Sequence, residues 1–195
     1  MKKIVAFLGS PGRNGNTGLI VDRLADGIRT AGLEAEIIHL SDYRIGGCKG
    51  CLSCSRTGNC VIDDDMVILY PKIEEADIYI FASPTYNYNM TSEMKALIDR
   101  MFRYYRFSNA TWPDLLGDAK KAYLVSVCAG PGSQSDPIEE DNMGFTVQGM
   151  RRPLEDLEIK VVGEIRYYNT KKFPVVHNKE YQQELILIGS EFKFY

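Results

Sequence analysis

The sequence predicts an α/β fold, a doubly wound parallel sheet of five strands with helices on both faces. Three observations carry that expectation. Five short strand-like runs alternate with helical patterns along the chain. The run at residues 78–82, between Asp77 and Pro84, is almost continuously apolar, as in a strand covered on both faces. The first apolar run, Ile4 to Leu8, passes through a glycine-rich loop straight into helical spacing.

In order, Leu19, Ile20, Leu24 and Ile28 recur at helical spacing and place the first helix at 17–30, ending near Gly32. Residues 34–39 alternate apolar and polar as a second strand, which makes a βαβ start. A cysteine-rich loop at about 46–62 follows. Asp63, Asp64 and Asp65 then precede Met66, Val67, Leu69 and Ile73, and read as the acidic first turn of a helix rather than a metal site. After the third strand, Met94, Leu97, Ile98, Met101, Phe102 and Tyr105 form an apolar helical stripe. Ser92 is placed to cap that helix, and Lys95 and Asp99 face outward one turn apart. Residues 122–127 supply the fourth strand. Residues 137–157 are mostly helical in pattern, with Pro153 expected to kink the helix or open a new first turn. Residues 161–165 give the fifth strand and 180–188 a closing helix.

At 195 residues, 45% hydrophobic and 25% charged, the chain is expected to form one soluble domain over 1–195. No apolar stretch approaches the roughly 20 residues of a membrane span, and Lys2-Lys3 is followed by too short a run for a secretory signal, so a cytoplasmic protein with no membrane partner is expected. A net charge of -3 without a basic cluster argues against nucleic acid as a partner. Four of the five cysteines lie between Cys48 and Cys60, too uneven for an extracellular disulfide framework and better suited to metal or redox chemistry.

Residues 9–17 (GSPGRNGNT) read as a phosphate seat. Glycines let the backbone approach a ligand, the helix start offers free N–H groups at its positive end, and Ser10, Asn16 and Thr17 add side-chain donors beside Arg13 and Gly15. Two further loops follow strands. Pro84, Thr85, Tyr86, Asn87, Tyr88 and Asn89 combine a stiff proline, two flat rings and two turn-tolerant amides, which suits a planar ring. Cys128, Ala129, Gly130, Pro131, Gly132 and Ser133 offer glycines and N–H groups. In such a sheet, ligands bind beyond the carboxyl ends of the strands, so the three loops belong together and suggest a mononucleotide with a flat head. A Walker loop needs a lysine after its last glycine, where Asn16 stands, and glycines at 9, 12 and 15 break the dinucleotide fingerprint. His39 and His177 lie in no triad or metal motif and read as surface or packing residues. Cys128 reads as a small residue beside a strand end, Trp112-Pro113 as packing, and Phe192 to Tyr195 as either a dock for another subunit or a fraying end.

These residues carry a resemblance. Gly9-Ser10-Pro11 with Gly15-Asn16-Thr17, then Pro84-Thr85-Tyr86 leading to Lys95-Ala96-Leu97-Ile98-Asp99-Arg100, resemble the flavodoxin-like NAD(P)H-dependent FMN reductase superfamily over about the first 105 residues. Cys48, Cys51 and Cys54, followed by Cys60 and the aspartate run, resemble its iron–sulfur flavoprotein branch. The resemblance implies strand order 2-1-3-4-5 and noncovalent FMN, with its phosphate on the 10–17 loop and its ring against 84–89. Ala129 and Gly130 occupy the position of the third flavin loop. It also implies a homodimer or homotetramer with FMN near a subunit interface. C-x2-C-x2-C-x5-C can wrap a [4Fe–4S] cluster, while zinc or an unloaded reduced loop remain open. The implied activity is an oxidoreductase in which NAD(P)H or a ferredoxin reduces FMN, and FMN passes electrons to a small-molecule acceptor or a redox protein. The flavin carries the chemistry, so no catalytic acid or base is expected. A flavodoxin-like electron carrier without a cluster is the alternative, and a colourless binding protein the third reading.

Overall fold

Five parallel strands hydrogen-bond in the order β2-β1-β3-β4-β5. They are β1 (Ile4–Leu8), β2 (Ala35–His39), β3 (Ile78–Pro84), β4 (Lys121–Val127) and β5 (Lys160–Tyr167). The computed structural model describes residues 2–105, 116–132 and 141–192. The expectations for Trp112, Pro113, Ser133 and the last three aromatic-rich positions fall outside them, as does the 137–140 start of the fourth helical pattern. The helices are α1 (Asn16–Thr30), a short α2 (Cys54–Thr57), α3 (Met66–Glu75), α4 (Ser92–Arg100), α5 (Gly144–Asp156) and α6 (Lys179–Ser190).

Alternation along β1 explains the layers. Ile4, Ala6 and Leu8 pack with Ile20, Val21, Leu24 and Ile28 of α1 and Leu185 of α6. Val5 and Phe7 turn to the other face, with Met66, Leu69 and Ile73 of α3, Met94 and Leu97 of α4, and Val147 and Met150 of α5. Both faces of the central strands are therefore covered, as the unbroken apolar run at 78–82 predicts. Phe7, Tyr79 and Phe81 form a buried ladder, with centroids 5.4 Å apart for Phe7–Phe81 and 5.6 Å for Tyr79–Phe81. Each such ring contributes roughly 1.5–3 kcal/mol by leaving water. On the opposite face α1 and α6 cross at glycines: a Cβ on Gly189 would lie 2.2 Å from the Leu24 carbonyl oxygen. No helix among the described residues is long and apolar enough to cross a membrane.

Four local expectations are corrected. The cap of α4 is Thr91, whose hydroxyl accepts from the Met94 N–H, whereas Ser92 Oγ donates to Glu93. The stripe from Met94 does not stay α-helical: after Arg100 the chain tightens into a 3-10 turn, Met101–Tyr104. Pro153 does not open a new first turn, because α5 runs through it to Asp156. Phe192 does not dock elsewhere, since its ring lies 3.7 Å from that of Tyr123 and parallel to it within 1°.

Candidate functional site

The strand order reverses between β1 and β3, and the loops after β1, β3 and β4 meet at the carboxyl edge of that switch point. The first loop ends at Gly15, the N-cap of α1, and no side chain caps the helix there. Among the described residues its first N–H groups, at Asn16 and Thr17, have no protein acceptor, and with the positive dipole end they make a setting for an anion. Thr17 is 2% exposed in that first turn. The loop is seated on its neighbour: Gly9 N–H donates to Ala82 O at 2.8 Å, and Gly9 O accepts from Thr91 Oγ1 at 2.7 Å. Gly9 has no room for a side chain, since a Cβ would lie 2.8 Å from Thr91 Oγ1 and 2.9 Å from Met94 Cβ. Thr91 thus caps α4 and ties the first loop to the second, a role that sequence reasoning misses.

Not every expected donor is free. Ser10 Oγ donates to Gly12 O at 3.1 Å, within its own loop. Asn16 Oδ1 accepts the Val175 N–H at 2.7 Å and so anchors a distant 3-10 turn. Arg13 is engaged by Asp42, which stands in the 3-10 turn Leu40–Asp42 directly after β2. Nothing in the spacing announces Val175 or Asp42 as partners, because both are distant in sequence.

The second loop is a tight reversal. Tyr86 N–H donates to Asn89 O at 2.8 Å, and Asn89 N–H returns to Tyr86 O at 3.1 Å. Asn87 and Tyr88 between them take φ values of 50° and 67°, the pattern of a type I′ turn. Left-handed backbone is costly for a bulky residue, and this turn holds it at Tyr88. Tyr86 and Tyr88 are 53% and 61% exposed, so their rings are presented outward. Asn89 Oδ1 accepts from Met90 N–H at 2.8 Å, which consumes one expected acceptor. Thr85 N–H donates to Val127 O at 2.7 Å, and its hydroxyl lies 3.0 Å from that of Thr146, fixing the loop against α5.

The third loop is held from behind by the chain after β5. Gly130 O accepts from Asn169 N–H at 2.8 Å, and Gly130 N–H reaches Cys128 Sγ at 3.3 Å. Ala129 is exposed and Gly130 half-buried at the loop tip. Tyr168 packs so tightly on Gly132 that a Cβ there would meet its ring at 2.3 Å. Its hydroxyl and Arg166 both donate to the buried Asp141 carboxylate, at 2.8 and 2.6 Å. Burial, with that carboxylate beside it, pushes the Tyr168 phenol up.

The cysteine loop leaves β2 and is closed at its base by a buried ion pair. Arg100 meets Asp64 with both nitrogens, at 2.5 and 3.1 Å, and donates to Gly46 O at 2.9 Å. Asp64 also accepts the N–H groups of Gly46 at 2.8 Å and Met66 at 3.1 Å. Burial pushes the Asp64 carboxyl up, but the Arg100 and backbone hydrogen bonds outweigh it and hold it below the usual aspartate range. The acidic run is therefore more than a helix start: Asp65 turns back to accept Arg44 N–H at 2.6 Å, and Asp64 is a structural staple. The available signal was Arg100, a charge three residues after Leu97 on the flank of an apolar stripe.

Within the loop, Cys48 and Cys51 are exposed and Cys54 and Cys60 half-buried. Burial and then the neighbouring Cys60, Cys48 and Cys51 sulfurs raise the Cys54 thiol. Burial likewise pushes Tyr70, beside Cys60 and Arg100, up to about 12. Among the described residues, however, no three Cys, His, Asp or Glu side chains converge as a metal-holding group. The donor set suits a cluster, but its arrangement does not form a cage. By contrast, the uncapped α1 start, the close glycine seat and the exposed rings fit a phosphate with a planar head. A wide cleft of about 860 Å³ at the other end of the sheet, between Lys2 and Glu36, offers no such site. Its lysines, Lys2, Lys3 and Lys72, are spent on Asp77, Glu75 and Glu36.

Comparison with known proteins adds three findings. Residues 2–150 match the family described as NADPH-dependent FMN reductase. An iron–sulfur flavoprotein of Clostridioides difficile is 33% identical over 190 residues, covering 91% of this chain and 84% of that protein. One from Archaeoglobus fulgidus is 42% identical over 102 residues, 52% of this chain and 46% of that protein. The matched part spans about half the length of that relative, as it does for several others so named. Among solved structures, an NAD(P)H:quinone oxidoreductase from Methanothermobacter marburgensis superposes with a TM-score of 0.77 at 14% identity, covering 100% of this chain and 97% of that one. At that identity the likeness is one of fold.

Proposed function

Because the chain belongs to the NADPH-dependent FMN reductase family, in its iron–sulfur flavoprotein branch, we propose that it is an oxidoreductase working through noncovalently bound FMN. The observation that carries this reading is the uncapped start of α1 at the switch point, facing a loop that presents two exposed tyrosines. The N–H groups of Asn16 and Thr17, with the Thr17 hydroxyl, would hold the phosphate. Tyr86 to Asn89, with Ala129 and Gly130, would flank the ring. FMN supplies two-electron exchange with NAD(P)H and one-electron exchange with a redox protein. The chain's own part is to bind and orient: Thr91 keeps the first two loops together, Thr146 fixes the second, and Tyr168 braces the third.

The test is a flavin titration with Thr17→Val, a near-isosteric change at a buried position. We expect roughly tenfold weaker FMN binding with an unchanged melting temperature of the flavin-free protein. Unchanged FMN affinity would remove the phosphate-seat assignment. NAD(P)H consumption with a small acceptor separates an enzyme from a pure electron carrier, which would bind FMN and consume none. A [4Fe–4S] cluster on Cys48, Cys51, Cys54 and Cys60 is a separate proposal, supported by the donor set and by the relatives' names. It requires the exposed half of the loop to close on Cys54 and Cys60, and iron with acid-labile sulfide in anaerobically purified protein decides it. Homo-oligomerisation is supported by the exposed rings of Tyr86, Tyr88 and Phe145, and sedimentation measures it.

A further inference from the structure

Residues 9–17 contain one cation, Arg13, among otherwise neutral donors. A guanidinium there is the natural bidentate partner of a phosphate. In the structure it is spent on Asp42 instead, with the two side chains 56% and 44% exposed. We propose that Asp42 withholds Arg13 from the flavin phosphate, so that this pair sets how strongly the site prefers FMN over a flavin lacking phosphate; the inference rests on the FMN reading of the loop.

Three features support it. The backbone at Arg13 is pinned to the first turn of α1, because Gly18 passes so close that a Cβ there would lie 2.1 Å from Arg13 O. The choice of partner therefore belongs to the Arg13 side chain and needs no refolding of the loop. Asp42 is itself placed by the turn after β2, the strand that pairs with β1 in register from Ile4↔Ala35 to Leu8↔His39. The carboxylate is thus delivered to the loop by the sheet, not by a wandering side chain. Finally, the start of α1 already offers neutral donors, so a phosphate can be seated while the pair stays closed. With the pair closed, the loop acts on the phosphate as a net-neutral group. With Asp42 neutralised, Arg13 adds a positive charge and a fork of donors.

The experiment is a mutant cycle read with two ligands, FMN and riboflavin, by flavin fluorescence at low and moderate salt. Asp42→Asn is expected to tighten FMN roughly three- to tenfold, with a steeper salt dependence, and to leave riboflavin unchanged. Adding Arg13→Gln should return FMN affinity to within about twofold of wild type. Equal tightening for riboflavin, no tightening of FMN, or tightening that survives the loss of Arg13 each overturns the proposal. Wild-type protein that binds neither flavin overturns the FMN reading and this inference with it, whereas FMN binding with a flat cycle overturns the inference alone. Thermal melts of each variant exclude misfolding as the cause, and Asp42→Ser serves as the second neutral replacement.

Discussion

Replacing Arg100 with Met should destabilise the protein far more than the loss of one surface charge. Arg100 and Asp64 have side chains only 1% and 4% exposed, and the variant leaves the Asp64 carboxylate buried with two N–H groups as its remaining partners. Breaking a buried pair from one side costs about 3–5 kcal/mol, which for a chain of this size lowers the melting temperature by roughly 10 °C. The double variant Arg100→Met/Asp64→Leu removes both charges and orphans the N–H groups of Gly46 and Met66 together with the Gly46 carbonyl. It should lose about 2 kcal/mol less than the sum of the singles. The pH response separates this from simple loss of packing. In the wild type the folded pKa of Asp64 is depressed, so its stabilisation is complete above the unfolded value of about 3.9 and disappears as pH falls through the folded one. Without Arg100, burial dominates and the folded pKa is raised above the unfolded value. The variant should therefore gain stability as pH falls from 7 toward 4, where the wild type does not. Urea midpoints across that range measure both effects, and hydrogen exchange at Gly46 reports the cysteine-loop base locally. Additive single effects, a cost under about 1 kcal/mol for Arg100→Met, or parallel pH profiles would refute the reasoning.

Other positions give sharper single tests. Tyr88→Gly relieves left-handed strain and should raise the melting temperature by the equivalent of about 1 kcal/mol while weakening flavin binding; a variant that gains neither stability nor a weaker affinity contradicts the turn's role. Gly189→Ala forces α1 and α6 apart at the Leu24 carbonyl and should cost roughly 1–3 kcal/mol in denaturant midpoint, whereas Gly47→Ala, with nothing within 4 Å, should be neutral. Thr91→Val removes both the α4 cap and the bond to Gly9 O, and is expected to cost about 1–2 kcal/mol and to increase proteolysis in both loops; protection equal to wild type would separate the loops.

The class of fold was legible in the sequence because strands and helices differ in the period of their apolar residues, and the helix at 17–30 and the strand at 78–82 follow those periods closely. The three loops of the candidate site were legible for a related reason. Glycine, proline and asparagine mark where the backbone must turn, and topology puts those turns at one edge. Cap identity was not, since Thr91 and Ser92 are both cappers, with serine if anything the better, and only the path of the chain from β3 decides which hydroxyl meets Met94 N–H.

Composition and spacing thus determined by themselves the sheet, the loops and the pool of candidate residues for a phosphate, a flat ring or a metal, because these follow from local periodicity and residue chemistry. The tertiary structure alone decided who partners whom: Arg13 with Asp42, Asn16 with Val175, and Asp64 with Arg100 across 36 positions. Those pairings are set by strand order and helix docking, which bring distant segments within hydrogen-bond reach. A donor that the sequence makes available can then be spent before any ligand arrives.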